Sequence, residues 1–386
     1  MKYRYEKFGG IIASEDPPFL AYVDRNYMRE LALKETKLWD GADDAIGLLS
    51  APTEVHFAIT NKCSVKCPHC YMDAGNEDIG ELDTFEMKKA LDVLANMGVF
   101  HVAMGGGEAL ERLDLFEVAE YAREIGLVPN LTISGIGLNE TLARQLKVFG
   151  QVNLSLDAVG NKSGVFRELH NFKIIDKAFS LLKDADVRTG INCVLGRRNF
   201  NQLESIFDYA AKKGIEELEF LRYKPAGRGK IFYESEKMYH YQNCALVPKL
   251  IKLSEEYKVT AKIDCSFIPM LCYHKPPIDK LRSMATYGCE AGNVLLGIRS
   301  NGQVSGCSFL EDTELTVFEL TEQYANHHGP LSIHRNWIEQ SPEPCKSCVY
   351  LSLCKGGCHN VSKAITGSYL TPDPDCPFVV DYNQNF

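Results

Sequence analysis

The chain has 386 residues, 45% apolar and 24% charged, with a formal net charge of −9; this is globular composition, long enough for one large core or two domains. The acidic balance argues against a broad basic surface for nucleic acid, and no apolar run approaches the ~18 residues of a membrane span. Residues 1–10 lack the apolar stretch of a signal peptide, so the 14 cysteines are read as metal ligands in a cytoplasmic protein rather than as disulfides.

Residues 1–50 form an extension. Within it, Gly9–Ile12 and Phe19–Val23 suggest a small hairpin, and Tyr27–Trp39 suggests a helix. From residue 53 to about 257 short β-rich runs alternate with helical patterns. The runs are Glu54–Thr60, His101–Met104, Val128–Ser134, Val152–Leu156, Thr189–Leu195 and Leu218–Leu221. The helical patterns are Thr84–Met97, Leu113–Ile125, Glu140–Phe149, Phe172–Lys183, Gln202–Lys213 and Gln242–Tyr257, with Asp83 and Asn201 as candidate N-caps. Such repeats predict an α/β fold of parallel βαβ units, barrel-like or doubly wound. Active residues then belong at the C-terminal ends of the strands. Beyond about residue 260 helical periodicity fades while Gly, Pro and Cys become frequent. Apolar content that thin needs metal to hold it. The expected division is an extension over 1–50, a core over 51–258, a bridging segment over 259–286 and a cysteine-rich domain over 287–386.

The most informative motif is Cys63-x3-Cys67-x2-Cys70, directly after the first strand. Each iron of a [4Fe–4S] cubane takes one external ligand, normally a thiolate. Three thiolates leave one iron free for a small molecule. Structural zinc sites instead combine two C-x2-4-C pairs. After the second strand comes Gly105-Gly106-Gly107-Glu108. Glycine permits close backbone approach, and a carboxylate at a strand end can bind an ammonium.

With His69 at an aromatic position before Cys70, these motifs resemble those of the radical S-adenosylmethionine (SAM) superfamily over residues 50–235. The resemblance implies a partial (β/α)6 TIM-like barrel. It implies that SAM chelates the open iron and is reductively cleaved to a 5′-deoxyadenosyl radical, which abstracts hydrogen from substrate. His69 and Tyr71 then flank the cofactor. Gly106, Gly107 and Glu108 hold the SAM amino group, with Ala109 where relatives have proline. Ser134, Ser155 and Asp157 line the SAM or substrate pocket, and Arg167 pairs the SAM carboxylate through its forked guanidinium. Arg228, in Pro225-Ala226-Gly227-Arg228-Gly229, is a candidate anion or SAM contact.

Downstream, Cys289-x12-Gly302-x4-Cys307 is followed by Cys345-x2-Cys348-x5-Cys354-x3-Cys358-x17-Cys376. Thiolates so closely spaced demand metal, and four of them could make one zinc site. The full pattern resembles the SPASM domain, an irregular C-terminal iron–sulfur domain. This implies two auxiliary [4Fe–4S] clusters, three in all. One is held by Cys345, Cys348, Cys354 and Cys376. The other is held by Cys289, Cys307 and Cys358, with a fourth ligand from Cys272 or Cys265, or an open iron. Cys193 and Cys244 read as buried apolar cysteines. Ser308 stands where sulfatase-maturing relatives carry a proton-accepting aspartate, which argues against that activity; Glu311 and Asp312 are candidate substitutes.

The resemblance implies an oxidoreductase that matures a peptide or a peptide-derived cofactor. Its partners are the peptide, a separate leader-binding protein and a low-potential donor of flavodoxin or ferredoxin type, with no nucleic acid and no membrane. The Gly9–Val23 hairpin is alternatively a remnant of a leader-binding module. Two other readings are a tetrapyrrole-modifying radical SAM enzyme and a zinc-binding interaction protein.

Overall fold

The computed structural model describes residues 1–15, 18–41, 47–160, 172–326 and 328–384. The extension begins with β1 (Lys2–Glu6), β2 (Gly9–Glu15) and β3 (Pro18–Asp24), paired antiparallel in that order. The expected hairpin is therefore part of a three-stranded sheet. The expected helix is much shorter, Arg25–Glu30, capped by the Asp24 side chain on the Tyr27 amide. Ala32 at φ +57° turns the chain out of the helix. Trp39 is an anchor instead. Its indole N–H donates to the carbonyls of Glu6 (2.9 Å) and Gly9 (3.1 Å), and its ring is buried with Ile12 and Met28.

The main sheet has 10 strands. Six are those anticipated: β4 (Glu54–Thr60), β5 (His101–Gly106), β6 (Val128–Ile133), β7 (Val152–Ser155), β8 (Thr189–Leu195) and β9 (Glu217–Arg222). Each runs parallel to the next. β10 (Thr260–Ile263), in the stretch expected to bridge, extends the parallel array beyond β9. On the opposite edge β11 (Leu295–Ile298) pairs parallel with β4, followed antiparallel by β12 (Gln303–Ser305) and β13 (Asp312–Thr316). The cysteine-rich segment thus supplies strands to the same sheet.

Helices Thr84–Met97, Leu115–Glu124, Phe172–Asp184, Leu203–Lys213 and His240–Tyr257 cover the outer face. Asp83 caps the first through a reciprocal bond with Glu86. Asn201 is no cap; it lies within the short turn Phe200–Gln202, and the next helix begins without a side-chain cap. Alternate strand residues such as Val55, Phe57 and Ile59 are buried in one core with Met87, Leu91 and Leu94. Their neighbours Glu54 and His56 line an interior cavity, as the two-residue strand period requires.

The extension is fastened to the N-terminal ends of the strands. Arg4 donates to the carbonyls of Ala51 (2.7 Å), Pro52 (2.9 Å) and Gly98 (2.9 Å), just before β4 and β5. Arg123, near the start of β6, pairs with Glu15. No helix among the described residues is long and apolar enough to cross a membrane.

Candidate active site

β4 ends at Thr60, and the three cysteines follow in the loop that leaves it. Cys63 N–H donates to Gly75 O (2.8 Å), and Gly75 N–H to Asn61 O (2.9 Å), which closes the loop on itself. The Cys70 sulfur accepts from Ala74 N–H at 3.4 Å.

Two glycine-rich turns press on this loop. A Cβ on Gly107 would sit 2.1 Å from Lys62 O, so only glycine fits. The neighbouring amides use that approach: Gly107 N–H donates to Thr60 O (2.7 Å) and Glu108 N–H to Lys62 O (2.9 Å). Gly227, at φ +50°, would place a Cβ 2.5 Å from both Cys70 O and Tyr71 O. Next to it, Arg228 donates to Cys67 O (3.1 Å), Ala74 O (2.7 Å) and the Asp73 carboxylate (2.7 Å). Arg228 therefore clamps the cysteine loop, while its remaining guanidinium nitrogen, Nη2, is buried with no hydrogen-bond partner in the protein. The sequence signal was the Pro225–Gly229 turn itself, although its partner could not be read from it.

Glu108 is 4% exposed. Its carboxylate accepts from Ser134 N–H (3.0 Å) and Leu110 N–H (3.4 Å). Burial pushes its pKa up, which Ser134 offsets in part, and the strongest charge acting on it, Glu111, has the same sign. A buried carboxylate in that state favours a cation beside it, which suits the ammonium of an amino acid.

These groups border one cavity of about 980 Å³, at the upper end for ligand sites. Cys63, Cys67, His69, Cys70, Tyr71, Gly106, Gly107, Glu108, Ser134 and Ser155 all line it. Asp157 is 3% exposed and stands behind the wall. One of its oxygens accepts from Val194 N–H (2.8 Å) and the other is 3.3 Å from His69 Nε2, so it orients His69. Arg167 lies outside the described residues. Unanticipated lining residues are Glu54, His56, Asn192, Glu219, Lys224 and Arg299. Asn192 Oδ1 is buried with no hydrogen-bond partner. The Tyr71 ring packs against that of Phe309 at a tilt of 36°, with centroids 4.6 Å apart, and burial pushes its phenol up to about 12.

The C-terminal cysteines gather in two groups. The charges of Cys289 and Cys358 act on both Cys265 and Cys307. Cys354 is hydrogen-bonded to Cys272 and feels Cys376 and Cys345, while Cys348 also feels Cys272. Cys265 thus sides with the first group and Cys272 with the second. Lys224 lines the cavity, pairs with Asp264 and lies over Phe309 at 4.0 Å. Arg222 joins barrel to cysteine domain: it bonds Asp373 through both nitrogens (2.5 and 3.0 Å) and Asp375 (2.7 Å). Among the described residues no three Cys, His, Asp or Glu side chains converge to hold a single metal ion. Cys193 is fully buried and Cys244 partly so.

Residues 57–210 match the model of the radical SAM superfamily. The chain is 30% identical over 339 residues to mycofactocin maturase MftC of Mycobacterium ulcerans, covering 85% of this chain and 88% of that protein. It belongs to the radical SAM superfamily. Among its relatives is the AdoMet-dependent haem synthase of Methanosarcina barkeri, 26% identical over 357 residues, with coverage of 86% and 98%. The fold matches SuiB of Streptococcus suis, solved with bound SAM, at a TM-score of 0.75 and 17% identity, covering 97% and 98% of the chains. The expected barrel and the SPASM-type resemblance are borne out. The chain is therefore a radical SAM enzyme, and the family implies a [4Fe–4S] cluster and SAM; the non-enzymatic zinc reading falls.

Proposed function

We propose that this enzyme matures a peptide, with Cys63, Cys67 and Cys70 holding the SAM-binding cluster. The observation that carries the reading is one cavity bordered by these three thiols at one end of the Gly-Gly-Glu turn and by the SPASM-side residues Ser308 and Phe309. MftC is described as a maturase, and SuiB has been solved with its precursor peptide SuiA. When bound, cluster and SAM supply a carbon radical that removes hydrogen from substrate. The protein's part is to place and shield. Arg228 and Gly227 fix the cysteine loop, Glu108 binds the SAM ammonium with Gly106 and Gly107 beside it, and Asp157 holds His69 in place. Ser134 and Ser155 offer hydroxyls to the same pocket. The reading includes a separate leader-binding partner, a low-potential donor protein and a cytoplasmic setting.

The test is anaerobic reconstitution, reduction, and assay of 5′-deoxyadenosine with peptides from neighbouring small open reading frames. Deuterium transfer from labelled peptide into 5′-deoxyadenosine supports the reading; no dependence on any peptide counts against it. A tetrapyrrole substrate is the second reading, favoured by the haem synthase relative; a Soret-band shift on adding a porphyrinoid would select it.

Glu108→Gln keeps the shape and removes the charge. A hydrogen bond to a charged group is worth ~1.5–3 kcal/mol, so SAM affinity should fall roughly 10- to 100-fold. SAM titration of the cluster's EPR spectrum measures this; an unchanged affinity would remove Glu108 from the site.

The two cysteine groups support two auxiliary cubanes, with Cys265 as the fourth ligand beside Cys289, Cys307 and Cys358. Cys345, Cys348, Cys354 and Cys376 take the other. Cys265→Ala should cost about four of about twelve irons per chain, whereas Cys272→Ala should leave iron content unchanged. The reverse pattern in an iron assay would refute the assignment.

A further inference from the structure

Ser308 is the first residue after Cys307, and it reaches into the barrel. Its hydroxyl oxygen lies 3.0 Å from His56 Nδ1, and His56 Nε2 lies 3.0 Å from Glu54 Oε1. All three line the cavity. His56 and Glu54 are two residues apart on β4, so both point inward. Their side chains keep 37% and 40% of their surface although both lie inside the barrel. That surface is cavity surface.

In the neutral imidazole the roles follow: an ionised Glu54 can only accept, so the Nε2–H donates a hydrogen bond to it, and Nδ1 offers its lone pair to the Ser308 hydroxyl, which donates. The Ser308 oxygen is left with free lone pairs at the cavity. We propose that Ser308, His56 and Glu54 form a proton relay that draws a proton from an O–H or N–H group of the substrate and stores it on His56. The inference rests on the radical SAM reading of the cavity, because loss of a hydrogen atom from carbon makes an adjacent O–H or N–H more acidic and calls for an acceptor.

The step is balanced without a further reagent. The substrate's O–H or N–H bond breaks, its proton joins the Ser308 oxygen, and the Ser308 proton moves to Nδ1. The imidazole becomes imidazolium, facing the Glu54 carboxylate. Ser308 is the catalytic residue; His56 and Glu54 act through it. The surrounding charges suit storage. Burial works against a charged His56, but Glu54 and Glu219 on β9 outweigh it, opposed by Lys224 after β9, and the net effect is a raised pKa. Burial also works against the Glu54 carboxylate, yet His56, His101 on β5 and Lys262 on β10 hold it below its ordinary range. The aspartate absent at position 308 is thus replaced by a hydroxyl backed by a stronger base.

The relay is tested on the full-length reconstituted holoenzyme with diethyl pyrocarbonate, which modifies neutral imidazole. Modification of His56 is followed against pH by peptide mapping. The wild-type inflection should lie above the ~6.5 of a free imidazole. Glu54→Gln should lower it by at least tenfold in proton affinity, and Ser308→Ala should raise the high-pH plateau rate several-fold by freeing Nδ1. A wild-type inflection at the ordinary value, an inflection that Glu54→Gln leaves in place, or an unchanged plateau in Ser308→Ala overturns the relay. Dithionite-driven 5′-deoxyadenosine formation by the wild-type enzyme reports separately on the parent reading.

Discussion

Replacing Cys63, Cys67 and Cys70 by alanine is expected to abolish SAM cleavage, with 5′-deoxyadenosine falling to background under dithionite. The reason is local. All three thiols sit on one loop at the C-terminal end of β4, and a cubane held at this loop needs its thiolates. The fold should survive, because the loop is held through backbone atoms: Gly75 and Asn61 close it, and Arg228 grips the carbonyls of Cys67 and Ala74. Circular dichroism should therefore match wild type, and iron should fall by about four atoms per chain. Residual 5′-deoxyadenosine well above background in the triple variant would show that the radical is generated elsewhere.

Arg222→Met should be the most destabilising single change at the junction of barrel and cysteine domain. Arg222 is 4% exposed, and its partner Asp373 is fully buried. Asp373 also accepts from Cys358 N–H at 3.0 Å and from Asp375 N–H at 3.0 Å. Removing the guanidinium strands a buried carboxylate, a loss of about 3–5 kcal/mol, and loosens the backbone at Cys358 and beside Cys376. Denaturant midpoints should fall accordingly, and Asp373→Asn in the same chain should recover part of the loss. A midpoint within about 0.5 kcal/mol of wild type would show that the pair contributes nothing. The pH dependence has a definite sign. Burial works against the Asp375 carboxylate, but Arg222 and Tyr233 outweigh it and depress its pKa. Its contribution is present above the ordinary aspartate value of ~3.9 and is lost as acid takes the protein through the depressed one.

The barrel was legible because its strands and helices carry different periods. All six expected strands formed within a few residues of their expected bounds, and Thr84–Met97 formed as read, since capping by Asp83 is a local signal. β10 escaped notice because Thr260–Ile263 is only four residues long, too short for its alternation to stand out. The Tyr27–Trp39 helix failed because Trp39 answers to β-strand carbonyls distant in sequence. Within the site, cysteine spacing and the Gly-Gly-Glu turn are short-range patterns and were readable. His56 and Glu54 left a fainter trace: polar residues at every second position of a strand with helices outside, EVHF in β4 and again Asn130 with Thr132 in β6. In a parallel sheet that would otherwise be apolar throughout, that alternation marks an interior filled by ligand. Which polar residue meets Ser308, some 250 positions away, is set by β11 pairing with β4, and no local pattern encodes it.

The extension grips the barrel beneath the strands, at Ala51, Pro52 and Gly98, whereas the cysteine loop crowns them. β4 alone, with 7 residues, puts roughly 23 Å between these levels at about 3.3 Å per residue. The extension and the cysteine loop thus stand at opposite ends of the strands. Any precursor tethered at the extension and altered beside Cys63 must keep at least about seven stretched-out residues between tether and target, and trimming that spacer in a synthetic peptide should put the target out of reach.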